Sequence, residues 1–195
     1  MLYVNQQDYP DIPYRTNLKE PDSEAAREGT AASSACGPCS AMMVVDRLTL
    51  QSLSLEEAIR IACDCKANMD PGTDMEIYGP VIAEKFGLTM TTTNAEEEMA
   101  ACLQNGGCAI INVGGNHDDY EGVLSDVGHY VVAFAYEDGR FVILDPAYRK
   151  GKYDVEVPSR TGKVEDRDKI LYVKAEVLAE DTATRDPGYY LFRRK

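Results

Sequence analysis

The chain has 195 residues, 44% of them hydrophobic and 27% charged, enough for a single domain over 1–195 with a real core. Its net charge of −13 speaks against nucleic acid, which selects basic stripes, and against anionic membrane surfaces. No apolar run reaches spanning length, and MLYVNQQDYP has neither the basic nor the apolar region of a secretory signal, so a cytoplasmic protein is expected.

Residues 1–30 read as an irregular arm, broken by Pro10, Pro13 and Pro21, with Tyr3, Tyr9 and Tyr14 as anchors. A small-residue loop then runs into Cys36, Gly37-Pro38 and an apolar run at helical spacing. This predicts a helix over Gly37–Leu50, with Pro38 in the first turn, where proline is tolerated. Ser54 with Glu57 forms a capping box that opens a second helix through about Cys65. Asp74 caps a third, which ends at Gly87. Asn94 with Glu97 opens a fourth, which ends near Gly106.

The period then changes. Cys108–Val113, Tyr130–Ala135, Phe141–Leu144, Ile170–Val177 and Tyr189–Phe192 read as strands. Asp138-Gly139 is a hairpin signal between the second and third of these. Residues 147–168 are polar and read as a long connection or a ragged hairpin. The expected class is α+β, with an N-terminal helical half packed on a C-terminal antiparallel sheet.

Cys36 is the first candidate for chemistry. A helix start leaves backbone N–H groups unpaired and carries the positive end of the helix dipole, which biases a thiol toward thiolate, its nucleophilic form. Of the other five cysteines, Cys63, Cys102 and Cys108 read as buried small hydrophobes, and Cys65 as more exposed. Their spacing lacks a zinc pattern, and no metal or cofactor is expected.

A thiol nucleophile needs a base, and the chain has two histidines. His117 lies in the turn-rich GGNHDDYEG and reads as a solvated loop residue, whereas His129 opens the apolar strand HYVVAFAY. The paired strand ends in Leu144-Asp145-Pro146, so Asp145 lies near His129 at the open end of one hairpin. Register decides whether they share a face. A strict two-residue turn sets Asp145 opposite Val132 and away from His129. A three-residue loop or a bulge sets it opposite Val131, on the face of His129. A Cys36-His129-Asp145 triad therefore requires one of the latter two. The Cys36 N–H and an arm glutamine, Gln6 or Gln7, are candidate oxyanion donors.

The segments NQQDYPDIPY, ASSACGPCSAMMVVDRL and GHYVVAFAYEDGRFVILDP together resemble the bacterial C39-like cysteine peptidases, papain-like relatives of the bacteriocin leader peptidases. The resemblance runs from the arm to about residue 150. It implies a papain-like fold and a thiol hydrolase acting on a peptide or amide. It also implies Gln6, followed by Asp8, as the oxyanion glutamine, Cys36 as nucleophile, His129 as base and Asp145 as the third member. Acyl transfer to an amine in place of water would make the chain a transpeptidase. Ala35 stands where the family often has glycine, and its methyl is expected to crowd the cleft.

Two other readings compete. Cys36-Gly37-Pro38-Cys39 matches the thioredoxin dithiol letter for letter, but no hydrophobic strand precedes it and the chain has no Trp. In a milder form, Cys39 would mask Cys36 as a reversible disulfide. The other alternative is a catalytically silent papain-like binding module.

Overall fold

In the computed structural model, which describes residues 2–154 and 156–195, the arm is more ordered than its prolines suggest. It holds a 3-10 turn at Gln6–Asp8, started by the Asn5 side chain, and a short helix, α1, at Glu24–Glu28, started by Ser23. Tyr14 is fully buried, and Tyr3 and Tyr9 pack against the core. A one-turn helix, α2 (Ala31–Ser34), leads into α3 (Cys36–Leu48). The latter begins one residue earlier than expected, so Cys36 is its first residue. Every residue from Cys36 to Val45 is buried, as in a helix that is apolar all round.

Ser54 caps α4 (Leu55–Asp64) by accepting from the Glu57 N–H, and Asp74 caps α5 (Met75–Lys85) by accepting from Glu76 and Ile77. Gly87, at φ +67, turns the chain out of α5 into a strand absent from the sequence reading, β1 (Leu88–Thr93). The next helix, α6 (Glu96–Gln104), starts after Ala95, and Asn94 does not cap it. The Asn94 side chain instead donates to Asp186 and accepts from the Gly188 N–H. The strands β2 (Cys108–Val113), β3 (His129–Glu137) and β4 (Arg140–Leu144) follow. The polar connection contains a 3-10 turn at Pro158–Arg160 and a strand, β5 (Val164–Arg167). The run expected as one strand to Val177 divides into β6 (Ile170–Lys174) and α7 (Ala175–Asp181). The last strand is β7 (Tyr189–Arg194).

The seven strands form one antiparallel sheet in the order β1-β7-β2-β3-β4-β6-β5. Its two faces carry two cores. One joins Ile110, Val132, Leu144 and Phe192 to α3, α4 and α5; the other joins Ile111, Val131, Ile143 and Leu191 to α6 and α7. The class is α+β, with a correction to the division of the chain: α6 and α7 cover the face opposite the first helices, and β1 precedes α6.

The β3–β4 hairpin combines a two-residue turn with a bulge. Asp138 and Gly139 have φ of 50 and 76, as a tight hairpin turn of this length requires. From there Glu137 pairs with Arg140, Tyr136 with Phe141 and Ala135 with Val142. Phe134 is then the extra residue, and beyond it Ala133 pairs with Ile143 and Val132 with Leu144. The bulge resets side-chain parity, so Ala133 and Tyr136, three apart, reach the same core. Continued by one step, the register sets Asp145 beside Val131, on the face of His129.

Candidate active site

Cys36, the first residue of α3, and His129, the first of the central strand β3, meet at one end of the sheet's strands, both buried. Gly37 makes room at the helix start, because a Cβ there would lie 2.7 Å from the Thr73 Cβ. His129 Nε2 is 2.7 Å from Asp145 Oδ1, and Cys36 and His129 line the same two hollows. Because Nε2 is committed to Asp145, Nδ1 is the ring nitrogen left for the thiol.

Burial alone would push the Cys36 thiol up. The hydrogen bond and charge of His129, with backbone hydrogen bonds at Tyr130 and Gly37, outweigh it and hold the thiol below its ordinary value. Burial alone would pull His129 down, but the charge and hydrogen bond of Asp145, and then Cys36, push it up to about 9. The two shifts both favour thiolate and imidazolium over the neutral pair, and the two titrations are coupled.

Asp145 is fully buried, yet Lys152 and His129 hold its carboxyl well below the usual range against the effect of burial. Its Oδ1 also accepts from the Ala147 N–H at 2.8 Å. Its Oδ2 accepts from Lys152 Nζ and from the Tyr153 hydroxyl, each at 2.6 Å. Lys152 and Tyr153 are the residues that sequence reasoning missed. They lie in the polar stretch after Pro146, where no periodicity marks a side chain as buried.

The arm closes the site from the other side. The Gln6 N–H donates to the Pro146 carbonyl at 2.7 Å, Asn5 Nδ2 to the Tyr148 carbonyl at 2.8 Å, and the Tyr3 hydroxyl to the Asp145 carbonyl at 3.1 Å. The Gln6 side chain is buried and lines a 290 Å³ hollow with Cys36 and His129. Its Nε2 gives one hydrogen to the Ala32 carbonyl at 2.7 Å and keeps a second. Gln7 also bonds Ala32, at 2.9 Å, but is exposed.

From Cys36 a cleft of about 590 Å³ runs between Ser33, Ser34 and the 70–73 loop on one wall and Val127–Tyr130 with Arg185 on the other. The loop that delivers His129 is held by buried groups. Arg160 donates to the Gly122 carbonyl and pairs with Asp126, while Asp181 accepts from the Val123 and Leu124 N–H groups at 2.7 Å each.

Several expectations need correction. Ala35 is fully buried in the core and lines neither hollow, so its methyl does not crowd the cleft. Cys63 is exposed and Cys65 half-buried, the reverse of their expected order, because α4 turns Cys63 outward. His117 is only half-buried, its ring tilted against Tyr120 and outside the cleft. Cys39 is fully buried, and burial pushes its thiol far up. Among the described residues, no group of three or more His, Cys, Asp and Glu is arranged to hold a metal, and no helix is long and apolar enough to cross a membrane.

No protein-family model and no curated protein matches the chain. Solved structures share its fold, two of them as follows. One is the peptidase domain of Streptococcus ComA, a bifunctional ABC transporter involved in a quorum-sensing pathway. It has a TM-score of 0.50 and 16% identity, covering 82% of this chain and 91% of that one. The other, from Bacillus anthracis, is described as a C39-like peptidase, with a TM-score of 0.55 and 11% identity, covering 100% of this chain and 99% of that one. The chain has the papain-like α+β fold of C39 peptidase domains.

Proposed function

We propose that this chain is a cysteine peptidase-like hydrolase that cleaves a peptide or amide bond. The observation that carries the reading is His129, bound through one nitrogen to buried Asp145 and sharing an open cleft with the thiol of Cys36 at a helix start.

The Cys36 thiolate attacks the carbonyl carbon of the substrate. The oxyanion is received by the Cys36 N–H at the start of α3 and by the second amide hydrogen of Gln6. Asp145 keeps the imidazolium of His129 oriented, and the imidazolium gives its proton to the leaving amine as the C–N bond breaks. Water then attacks the thioester with His129 as base, which releases the acid and restores the thiolate. An amine in place of water would complete an acyl transfer by the same path. The buried, protonated Cys39 offers no support for a redox dithiol.

The test is alkylation of Cys36 by iodoacetamide as a function of pH, read by mass spectrometry at that residue. The expected midpoint lies well below the free-thiol value of about 8.5 and rises toward it in His129→Ala. A Cys36 that reacts no faster than free cysteine and ignores His129 would overturn the reading.

A further inference from the structure

The buried Lys152 is a cation the proposed mechanism does not use, and it sits on the one carboxylate that mechanism depends on. Its side chain is 5% exposed and Asp145 is fully enclosed, so the contact is sealed from water. The turn that follows Asp145 arranges this. The Lys152 N–H donates to the Arg149 carbonyl, and the N–H groups of Asp154 and Glu156 donate to the Gly151 carbonyl, which sends Lys152 and Tyr153 inward while Arg149 pairs with Glu156 outside. The Nζ also stands 5.3 Å from the Tyr153 ring centroid. Asp145 thus receives four donors on two oxygens, which fills a carboxylate's acceptor sites and locks its rotation from both edges.

We propose that Lys152 is a positioning residue of this site, which fixes Asp145 toward His129 and takes a share of its charge, so that the histidine holds its proton less tightly than it would beside Asp145 alone. The inference rests on the hydrolase reading above. In the reactive form the buried row reads thiolate, imidazolium, carboxylate and ammonium, and its charge closes at zero. Without the ammonium the row carries an uncompensated negative charge in a low-dielectric site, where such a charge is costly. Asp145 would then act on His129 undivided, and the imidazolium would persist to higher pH. The other groups facing this row are Tyr3 and Gln6 from the arm, Tyr153 and Arg149 from the turn, and Arg160 with Asp126 from the loop and connection around it. None of these is a second cation on the carboxylate of Asp145.

The experiment is a carbon-13 NMR titration of the histidine rings in the whole chain. With two histidines in the sequence, His117→Asn assigns the spectrum. Lys152→Gln keeps a donor for Oδ2 and removes only the charge. It is expected to move the His129 midpoint up by about one pH unit, a tenfold tighter hold on the proton. Lys152→Arg is expected to return it to the wild-type position, and Lys152→Met to repeat the glutamine shift. A merely structural lysine would alter stability and leave the midpoint in place. An unmoved midpoint in folded Lys152→Gln, or an equal shift in Lys152→Arg, would overturn the proposal. The titration needs no substrate. An unreactive Cys36 ends the hydrolase reading without touching this result, and an unmoved midpoint beside a reactive Cys36 ends this proposal alone.

Discussion

The β3–β4 hairpin and the turn that follows it, residues 147–154, supply the two sides of Asp145 by different means. The hairpin places Asp145 by geometry: a tight turn, one bulge and alternation of faces decide where its side chain points. The turn places nothing by periodicity. It closes over Asp145 with two buried polar side chains, and its own backbone is held by local hydrogen bonds. A regular element can aim a side chain cheaply, because repeat geometry does the aiming. Neutralising a sealed charge needs another charge, and irregular backbone can deliver one from any direction.

If that contrast is right, damage to the hairpin should destroy orientation and damage to the turn should unbalance charge. Cys36→Ala has the largest expected effect: hydrolysis falls to background and labelling at that position is absent, while circular dichroism is unchanged. His129→Ala leaves the carboxylate aimed by the hairpin without its imidazole. It is expected to cost about 10²–10⁴ in hydrolysis, the usual worth of a positioned base, and to raise the Cys36 alkylation midpoint. Asp145→Ala strikes both regions, since it also strands Lys152. Urea denaturation should register a loss of about 3–5 kcal/mol, the range for breaking a buried ion pair.

Smaller effects sharpen the picture at its edges. Gln6→Ala is expected to lower kcat by about 10²–10³, as loss of an oxyanion donor does, whereas Gln7→Ala leaves it within twofold. A hydrolysis assay on both variants separates the two adjacent glutamines. His129, raised from 6.5 to about 9, contributes stability that is complete below pH 6.5 and lost as pH climbs through 9. The Cys36 thiol titrates in the opposing sense, so the measurement belongs in Cys36→Ser. There the share of the shift due to Cys36 is absent, so the unfolding free energy should fall with rising pH above 6.5 over a window that closes below 9. Arg149→Ala breaks only an exposed pair and should change stability by less than about 0.5 kcal/mol.

What the sequence made legible follows the same division. His129 and Asp145 stood at the ends of periodic runs, so their proximity, and even the need for a bulge, followed from alternation alone. The bulge's position at Phe134 did not follow, since nothing in HYVVAFAY distinguishes one extra residue from another. Lys152 was hidden because a lysine in a charged stretch reads as solvated; only the fold brings a carboxylate to meet it. The threonine-rich β1 was missed because its partner, β7, lies about a hundred residues away and its outward positions are polar. Asn94 had a cap's chemistry but spends it on Asp186 and Gly188, a competition that local sequence does not reveal. Gln6 was singled out by family resemblance, while its preference over Gln7 rests on burial and on the bond from its N–H to Pro146.

That last bond has a consequence for how the protein comes into being. Residues 3, 5 and 6 fasten to residues 145–148, so the arm is stitched to a turn far along the chain from it. Contacts of such separation form late, because closing a long loop costs entropy before any contact repays it. A chain whose arm has not yet closed on this turn holds a thiol at a helix start but no seated Gln6. Folding order therefore leaves the oxyanion side of the proposed site to be completed last.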